Sequence, residues 1–582
     1  MLVPAGCEGM ATPAEPATPA QSYHRKDPVL HEQEFMAPQH VLYSRPLFHL
    51  TAPRGWLNDP CGLGYDPASA LHHLSFQWNP KGNDWEDISW RHSVSYDLIS
   101  WKVFPEPCLA FSAEYDQCGK FTGCFRASNL NGEAGALTYL YTSVRRLPLH
   151  YTLPYVVGSE SLSMTVSNDN GITWQRPDFN SILPSPPPDV NVTGWRDPYI
   201  GVWAAKPAEY GRLSSSSLCG FLSGGIAGQT PTVFVYSTNP NDLREWKYAG
   251  SLVNIGLNVR PSRWSGDLGV NWETANWVGL TDDEEVTKNF IIMGVEGCLV
   301  SESEQKRVSR SQSWMAVDYT FSGIFGHGCA YAANSFWDPV TLQHVVYCWI
   351  MEQDLPDGSR HQQGWSGVIS VPRVVKLITL RNKKANTKGT FIVRTLGIEP
   401  DPRLEKIRKD PQSVANTRLE DRQYCENSLS LTTSRWELKA EFSIGELCKV
   451  VGIEVEHDSD PHNRTVLAWE PCNEAFWIQR PSPYDPNINH APETAPHTLF
   501  TFIDKNGREQ EETLRIHAFS NRNVLEVFVN ERTVISTRVY TPCVESFAGL
   551  RFFAELTPTA LNSKHTPAVL LQADLLDGLE VA

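Results

Sequence analysis

Three acidic residues of this 582-residue chain stand in settings that could do chemistry. Asp59 lies in Arg54-Gly55-Trp56-Leu57-Asn58-Asp59-Pro60-Cys61-Gly62, Asp197 in Gly194-Trp195-Arg196-Asp197-Pro198, and Glu273 in Asn271-Trp272-Glu273-Thr274. Each has a tryptophan close by. A carboxyl group in a partly dry setting has its pKa raised and can carry a proton, while a carboxylate that accepts hydrogen bonds stays ionised and can act as a nucleophile. The proline after Asp59 and Asp197 restricts each acid to extended backbone and so fixes its direction. A single Asp-Pro is an ordinary turn; the reading rests on the set.

These acids must be held by strands. From about Leu42 to Arg394, short runs rich in Val, Ile, Phe, Tyr and Trp alternate with Gly, Pro, Asn and Asp clusters, the pattern of many short strands joined by turns. A weak repeat runs through them: Ser95-Tyr96-Asp97 leads to Trp101, Ser167-Asn168-Asp169 to Trp174, and Ser237-Thr238-Asn239 to Trp246, at near-equal intervals. One supersecondary unit per repeat predicts radially arranged four-stranded sheets. The chain turns polar and proline-bearing near Pro400, Pro402 and Pro411, and strand patterns resume after Leu429, with clear alternation over Leu525–Asn530. The expected organisation is a mobile Ala/Pro/Thr-rich tail over 1–40, a first β domain over 41–395, a linker over 396–428 with a short helix at LEKIRK, and a second β domain over 429–582.

Composition excludes several functions. The net charge of −16 disfavours nucleic acid as a partner. There is no run of 18 apolar residues for a membrane helix. The first residues lack the basic and apolar regions of a signal peptide, so the expected location is the cytoplasm or an export route without a recognisable signal. The 13 cysteines form no C-x-x-C pair and are expected to be mostly reduced, buried thiols. No nucleotide or metal motif stands out, so no cofactor and no metal are expected; His457, Asp458, Asp460 and His462 read as a solvated loop.

Together the segments resemble glycoside hydrolase family 32, the invertase and fructosyltransferase family. WLNDPCG is similar to that family's W-M-N-D-P-N-G. Leu74–Pro80 is similar to F-Y-Q-Y-N-P, and Trp90–Trp101 to W-G-H-A-V-S-x-D-L-x-x-W. Phe121-Thr122-Gly123, Trp195-Arg196-Asp197-Pro198 and Trp272-Glu273-Thr274 follow in order. So do Gly364-Trp365-Ser366-Gly367 with Val371-Pro372-Arg373, and Leu525–Tyr540. The resemblance implies a five-bladed β-propeller followed by a β-sandwich, all-β, with the site in the propeller funnel. It implies Asp59 as nucleophile, Glu273 as general acid/base and Asp197 as transition-state stabiliser. Asn58, Gln77, Trp85, Phe121, Thr122 and Arg196 would hold the fructosyl unit of sucrose or a short fructo-oligosaccharide. The sandwich could support a homodimer. Glu296, in Val295-Glu296-Gly297-Cys298, is a rival acid, read as a strand-end surface residue. A retaining carboxyl pair stands about 5–5.5 Å apart, and an inverting pair about 6.5–9.5 Å.

Cys61, Thr274 and Trp78 depart from the family pattern, which the resemblance places beside the reacting carbons or the acceptor side. Departures at these places resemble those of fungal members of the family that favour transfer over hydrolysis, which implies a sucrose-using fructosyltransferase with residual hydrolysis. Two other readings stand beside this one: a non-catalytic carbohydrate-binding propeller, and an inverting arabinan-acting propeller enzyme.

Overall fold

The computed structural model describes residues 45–582 apart from 111–112, 204–217, 300–309, 386–388, 422–427, 461, 542–548, 559–564 and 582; the expected tail over 1–40 lies outside the described residues. The fold is nearly all β. Five antiparallel meanders follow one another along the chain. The first is Gly55–Asp66, Leu71–Asn79, Ser89–Ser95 and Lys102–Leu109. The second is Gly119–Arg126, Leu137–Val144 and Glu160–Ser167, extended by bridges to Leu183 and Gln175. The third runs from Val192 to Ser251 and the fourth from Asn271 to Gly328. The fifth is Ala330–Asp338, Gln343–Ile350, Arg373–Lys384 and Thr390–Pro400.

The first strands of the five meanders adjoin in a closed cycle: Gly55–Asp66 lies against Gly119–Arg126, then Val192–Val202, Asn271–Thr281 and Ala330–Asp338 in turn, and the last returns to the first. The three serine–tryptophan segments occupy equivalent turns in the first three meanders. In each, the indole Nε1 donates to a backbone carbonyl three residues back: Trp101 to Leu98 (3.1 Å), Trp174 to Gly171 (3.1 Å) and Trp246 to Leu243 (2.9 Å). The repeat in the sequence is this indole-closed turn.

The C-terminal part is two sheets face to face across one apolar core. One has the order Thr533–Arg538, Val524–Val529, Leu514–Asn521, Arg435–Ile444, Ala568–Asp577 and Gln412–Leu419; the other is built from Glu493–Pro496, Ala475–Gln479, Arg464–Glu470, Cys448–Glu456 and Gly549–Leu556. Leu438, Ile516, Val527 and Leu575 from the first meet Val451, Ile453, Leu467, Phe476 and Phe552 from the second.

The segment over 396–428 is not a linker where it is described. Thr390–Pro400 completes the fifth meander, Pro402–Ile407 is a 3-10 turn with Leu404 and Ile407 buried, and Gln412–Leu419 is an edge strand on Ala568–Asp577. Its prolines break the chain between short elements rather than leave it extended. The histidine–aspartate segment at 457–462 is a turn as expected at Asp458 and Asp460, but His457 itself is buried and its Nε2 lies 2.8 Å from Thr465 Oγ1. Six of the ten described cysteines are buried.

The two parts are joined by strand pairing of His327 and Gly328 to Ile535 and Ser536, and by buried ion pairs. Arg373 Nη2 donates to Glu526 Oε2 (2.7 Å), Glu526 Oε1 also lies 3.0 Å from His49 Nε2, and Arg538 bonds Glu352, which Tyr540 also reaches (3.2 Å). The late motif residues Arg373, Glu526, Arg538 and Tyr540 are thus the seam of the molecule. Removing one partner of such a pair strands a buried charge, so Arg373→Met is expected to lower unfolding stability by about 3–5 kcal/mol. Denaturant unfolding of the variant checks this; a loss under about 1 kcal/mol would contradict the role given to the seam.

Candidate active site

The five inner strands share one irregularity. Leu57 and Pro60 oppose Trp78 and Phe76; Lys120 and Gly123 oppose Ser143 and Tyr141; Arg196 and Tyr199 oppose Ser223 and Phe221. Glu273 and Asn276 oppose Gly294 and Ile292, and Tyr331 and Asn334 oppose Trp349 and Tyr347. Each inner strand therefore carries one residue more than its neighbour, a β-bulge, and bulges re-aim side chains. Asn58, Asp59, Phe121, Thr122 and Asp197 lie within bulges; Arg196, Glu273 and Tyr331 open them.

Asp197 has φ +58°, Thr274 +48° and Ala332 +50°. The extended backbone expected of Asp197 from Pro198 is therefore corrected: the bulge forces the left-handed region, and proline's preference is overruled. Side chains take up several of the backbone groups freed by the bulges. Asp197 N–H donates to Thr142 Oγ1 (2.7 Å), Thr274 N–H to Asp197 Oδ2 (2.9 Å) and Ala275 N–H to Ser223 Oγ (2.8 Å). Asn276 Nδ2 donates to the carbonyls of Thr274 (2.7 Å) and Ala333 (3.0 Å), and Asn334 Nδ2 to that of Pro60 (3.0 Å). Unpaired, such buried groups would each cost about 1–3 kcal/mol.

The bulges converge on a narrow pocket of about 80 Å³, lined by Asn58, Asp59, Gln77, Trp85, Phe121, Leu149, His150, Arg196, Asp197, Glu273, Glu296, Arg310, Tyr331 and Trp349. All three expected acids are there. Of the expected sugar-holding residues, Asn58, Gln77, Trp85, Phe121 and Arg196 line it, and Thr122 reaches it through Asp59. Asp59 accepts from Asn58 Nδ2 (3.1 Å), Gln77 Nε2 (3.2 Å) and Thr122 Oγ1 (2.5 Å). Burial pushes its carboxyl up to about 6, with repulsion from Glu273 adding to it and the Thr122 and Asn58 bonds opposing. Trp85 and Phe121 meet at 5.5 Å between ring centres and form an apolar wall.

Glu273 does not have the raised pKa that its tryptophan neighbour suggests. Burial acts upward, but Arg310, Arg196 and the Tyr331 hydroxyl together hold the carboxyl below its ordinary value. Arg196 Nη1 donates to Glu273 Oε1 (3.0 Å) and Tyr331 Oη to Glu273 Oε2 (2.8 Å). Asp197 is raised well above its ordinary value by burial and by Glu273 and Asp59, and Glu296 is raised by burial and by Glu273.

Glu296 corrects the surface reading. It is buried, accepts from Asn271 Nδ2 (3.0 Å) and Arg310 Nη2 (2.8 Å), and stands 3.8 Å from Arg196. Glu160 also binds Arg196, at Nε (2.5 Å). Among the described residues, five carboxyl groups thus meet two guanidiniums, and the excess of acid keeps protons in the pocket. Glu160, Arg310, Tyr331 and Trp349 were not legible in the sequence: each is a single residue on an ordinary strand. The one signal available was a charge within a run of strand-forming residues.

Two departures from the family pattern do sit at the site. Cys61 Sγ lies 3.3 Å from the Asp59 carbonyl, and Thr274 gives its N–H to Asp197 while its buried hydroxyl has no partner among the described residues. Trp78 does not: it is buried in the core, donates to the Arg54 carbonyl (2.8 Å) and lies under the Arg91 guanidinium.

Residues 49–389 match the family model of the glycosyl hydrolases family 32 N-terminal domain, and residues 403–566 that of the family 32 C terminal. The chain belongs to glycosyl hydrolase family 32. A β-fructofuranosidase cell wall isozyme of Zea mays is 26% identical over 346 residues, 57% of this chain and 52% of that protein. The insoluble isoenzyme 2 of Oryza sativa subsp. indica is 26% identical over 421 residues, 69% of this chain and 62% of that protein. The chain thus spans about half to three-fifths of the length of these curated relatives. Among solved structures, a fructosyltransferase from A. japonicus has a TM-score of 0.76 at 22% identity, covering 92% of this chain and 95% of that one. A β-fructofuranosidase from Aspergillus kawachii, complexed with glycerol, has 0.78 at 23%, covering 92% and 94%. These likenesses establish a shared fold.

The Asp59 carboxyl becomes charged as pH rises through about 6. A reaction that needs it as carboxylate is expected to lose rate below that pH, by about tenfold per pH unit. Thr122→Val removes a bond that favours the charged form, so the acid limb of kcat/KM on a fructoside should move to higher pH. An unmoved limb would show that Asp59 is not the group that sets it.

Proposed function

We propose that this chain is a retaining fructosyl-transferring enzyme acting on sucrose, built as a five-bladed β-propeller followed by a β-sandwich. The closed cycle of five inner strands supports the architecture. The observation that carries the function is the arrival of Asp59, Asp197 and Glu273 from three separate strands at one pocket, with Arg196 bonded to Glu273.

In this reading Asp59 attacks the anomeric carbon of the fructosyl unit while Glu273 gives its proton to the leaving oxygen, so that glucose departs and a fructosyl–Asp59 ester forms. Glu273, now a carboxylate, takes the proton of the acceptor hydroxyl as that oxygen attacks the same carbon and Asp59 leaves. Asp197 accepts from fructosyl hydroxyls and so stabilises the charge that develops on the ring. Burial and mutual repulsion favour a proton on Asp197 and Glu296, while the arginines disfavour one on Glu273. A sugar whose hydroxyls donate to Asp197 stabilises its carboxylate and frees that proton for Glu273. Asn58 and Gln77 hold Asp59 in line, and Trp85 and Phe121 face the apolar side of the sugar.

Water and sugar hydroxyls compete for the fructosyl-enzyme. Trp85, Leu149 and Trp349 contribute apolar lining to the pocket. This favours an ordered sugar acceptor, held at high effective concentration, over water. Short fructo-oligosaccharides are then the main products, with residual hydrolysis. The second reading, an enzyme that mainly hydrolyses sucrose, rests on the relatives described as β-fructofuranosidases. A non-catalytic role would fit the loss of an acid, and all three acids are in place.

Concentrated sucrose is expected to yield more free glucose than free fructose, together with a trisaccharide, and both are lost in Asp59→Ala and Glu273→Ala. Chromatography of the products decides it: equal glucose and fructose would make the enzyme a hydrolase, and no product from the wild type would refute the reading.

A further inference from the structure

The five-stranded sheet of the C-terminal part turns one face to the core. Its other face opens on a trough of about 580 Å³, far larger than the active-site pocket. Its apolar lining is Val450, Val466, Trp477 and Phe553. One row of cross-strand partners beneath it joins the two rings: Phe553 opposite Gly452, Gly452 opposite Ala468, and Ala468 opposite Trp477. The two aromatics therefore stand three strand spacings apart, about 14 Å, with only a buried glycine and a buried alanine between them in that row. Glycine is required there: a Cβ at Gly452 would come 2.3 Å from the Leu467 carbonyl oxygen. Both rings are only partly buried, and Val450 and Val466 extend the apolar strip.

The chemistry of the rim indicates the occupant. Lys449 Nζ is bound to Glu555 (2.8 Å) and Arg464 Nη1 to Glu454 (3.0 Å), so four of the charged side chains lining the trough neutralise one another in pairs. The net charge of −16 disfavours a polyanion, and the paired charges leave a neutral ligand the better match to this strip. Aromatic planes stack on the apolar faces of sugar rings, and the paired side chains offer donors and acceptors to hydroxyl groups.

We infer that this trough binds a chain of uncharged sugar units, with Trp477 and Phe553 as its two stacking walls. The site is separate from the catalytic pocket and does not depend on what that pocket does.

Affinity electrophoresis of the full chain tests it, in native gels containing inulin, levan or amylose. The Asp59→Ala background prevents turnover. At least one polysaccharide is expected to retard the protein, and Trp477→Ala and Phe553→Ala, made separately, are each expected to weaken that retardation by about tenfold. Circular dichroism confirms folding of each variant, and in the wild-type background each should turn over sucrose at the parent rate. No retardation by any of the three, or retardation unchanged in both folded variants, would overturn the proposal. Sedimentation gives a third outcome: if Trp477→Ala converts a dimer to a monomer, the trough is an interface between copies and the proposal fails.

Discussion

The extra residue in each inner strand is the constraint on which the site depends. In an unbroken strand, successive side chains point to opposite faces, so neighbours such as Asn58 and Asp59, or Arg196 and Asp197, could not serve one pocket together. The bulge breaks that alternation at the same level in all five strands. The cost is a set of unpaired backbone groups and left-handed residues at Asp197, Thr274 and Ala332. Thr142, Ser223, Asn276 and Asn334 offset it with side-chain hydrogen bonds. Five meanders in a closed cycle are what bring five such bulges to one axis.

Charge is the second organising feature. Arg196 bonds Glu160 and Glu273 and lies near Glu296, while Arg310 binds Glu296. Acids outnumber guanidiniums, so the pocket is poised between protonation states. Burial and mutual repulsion hold Asp197 and Glu296 up, the arginines hold Glu273 down, and Asp59 sits near 6. The shifts favour a proton on Asp197 or Glu296 over one on Glu273, so the proposed acid role of Glu273 requires that order to change when a sugar binds.

Much of this was legible in the sequence, for physical reasons. Strand-forming runs between turn residues gave the β class, and the serine–tryptophan segments marked a turn whose indole closes on its own backbone. The acids were visible because their neighbours, Trp, Asn, Arg and Pro, are unusual in combination. Glu160, Arg310 and Tyr331 were hidden because position in space, not local sequence, makes them part of the site, and Glu296, visible as a rival acid, was misread as a surface residue for the same reason. The 396–428 segment misled because proline and charge mark breaks between elements as readily as they mark linkers. Trp78, which the resemblance placed by the site, misled because the strand alternates: Gln77 enters the pocket and the next side chain enters the core.

The central claim is that Asp59 becomes covalently bonded to the fructosyl unit. Rapid acid quench of the wild type with sucrose, or of Glu273→Ala with a fructoside bearing a good leaving group, followed by proteolysis and mass spectrometry, tests it directly. One anhydrohexose unit is expected on the peptide that contains Asp59, and none in Asp59→Ala. Adduct on another residue, or inversion at the anomeric carbon with no adduct, would contradict it.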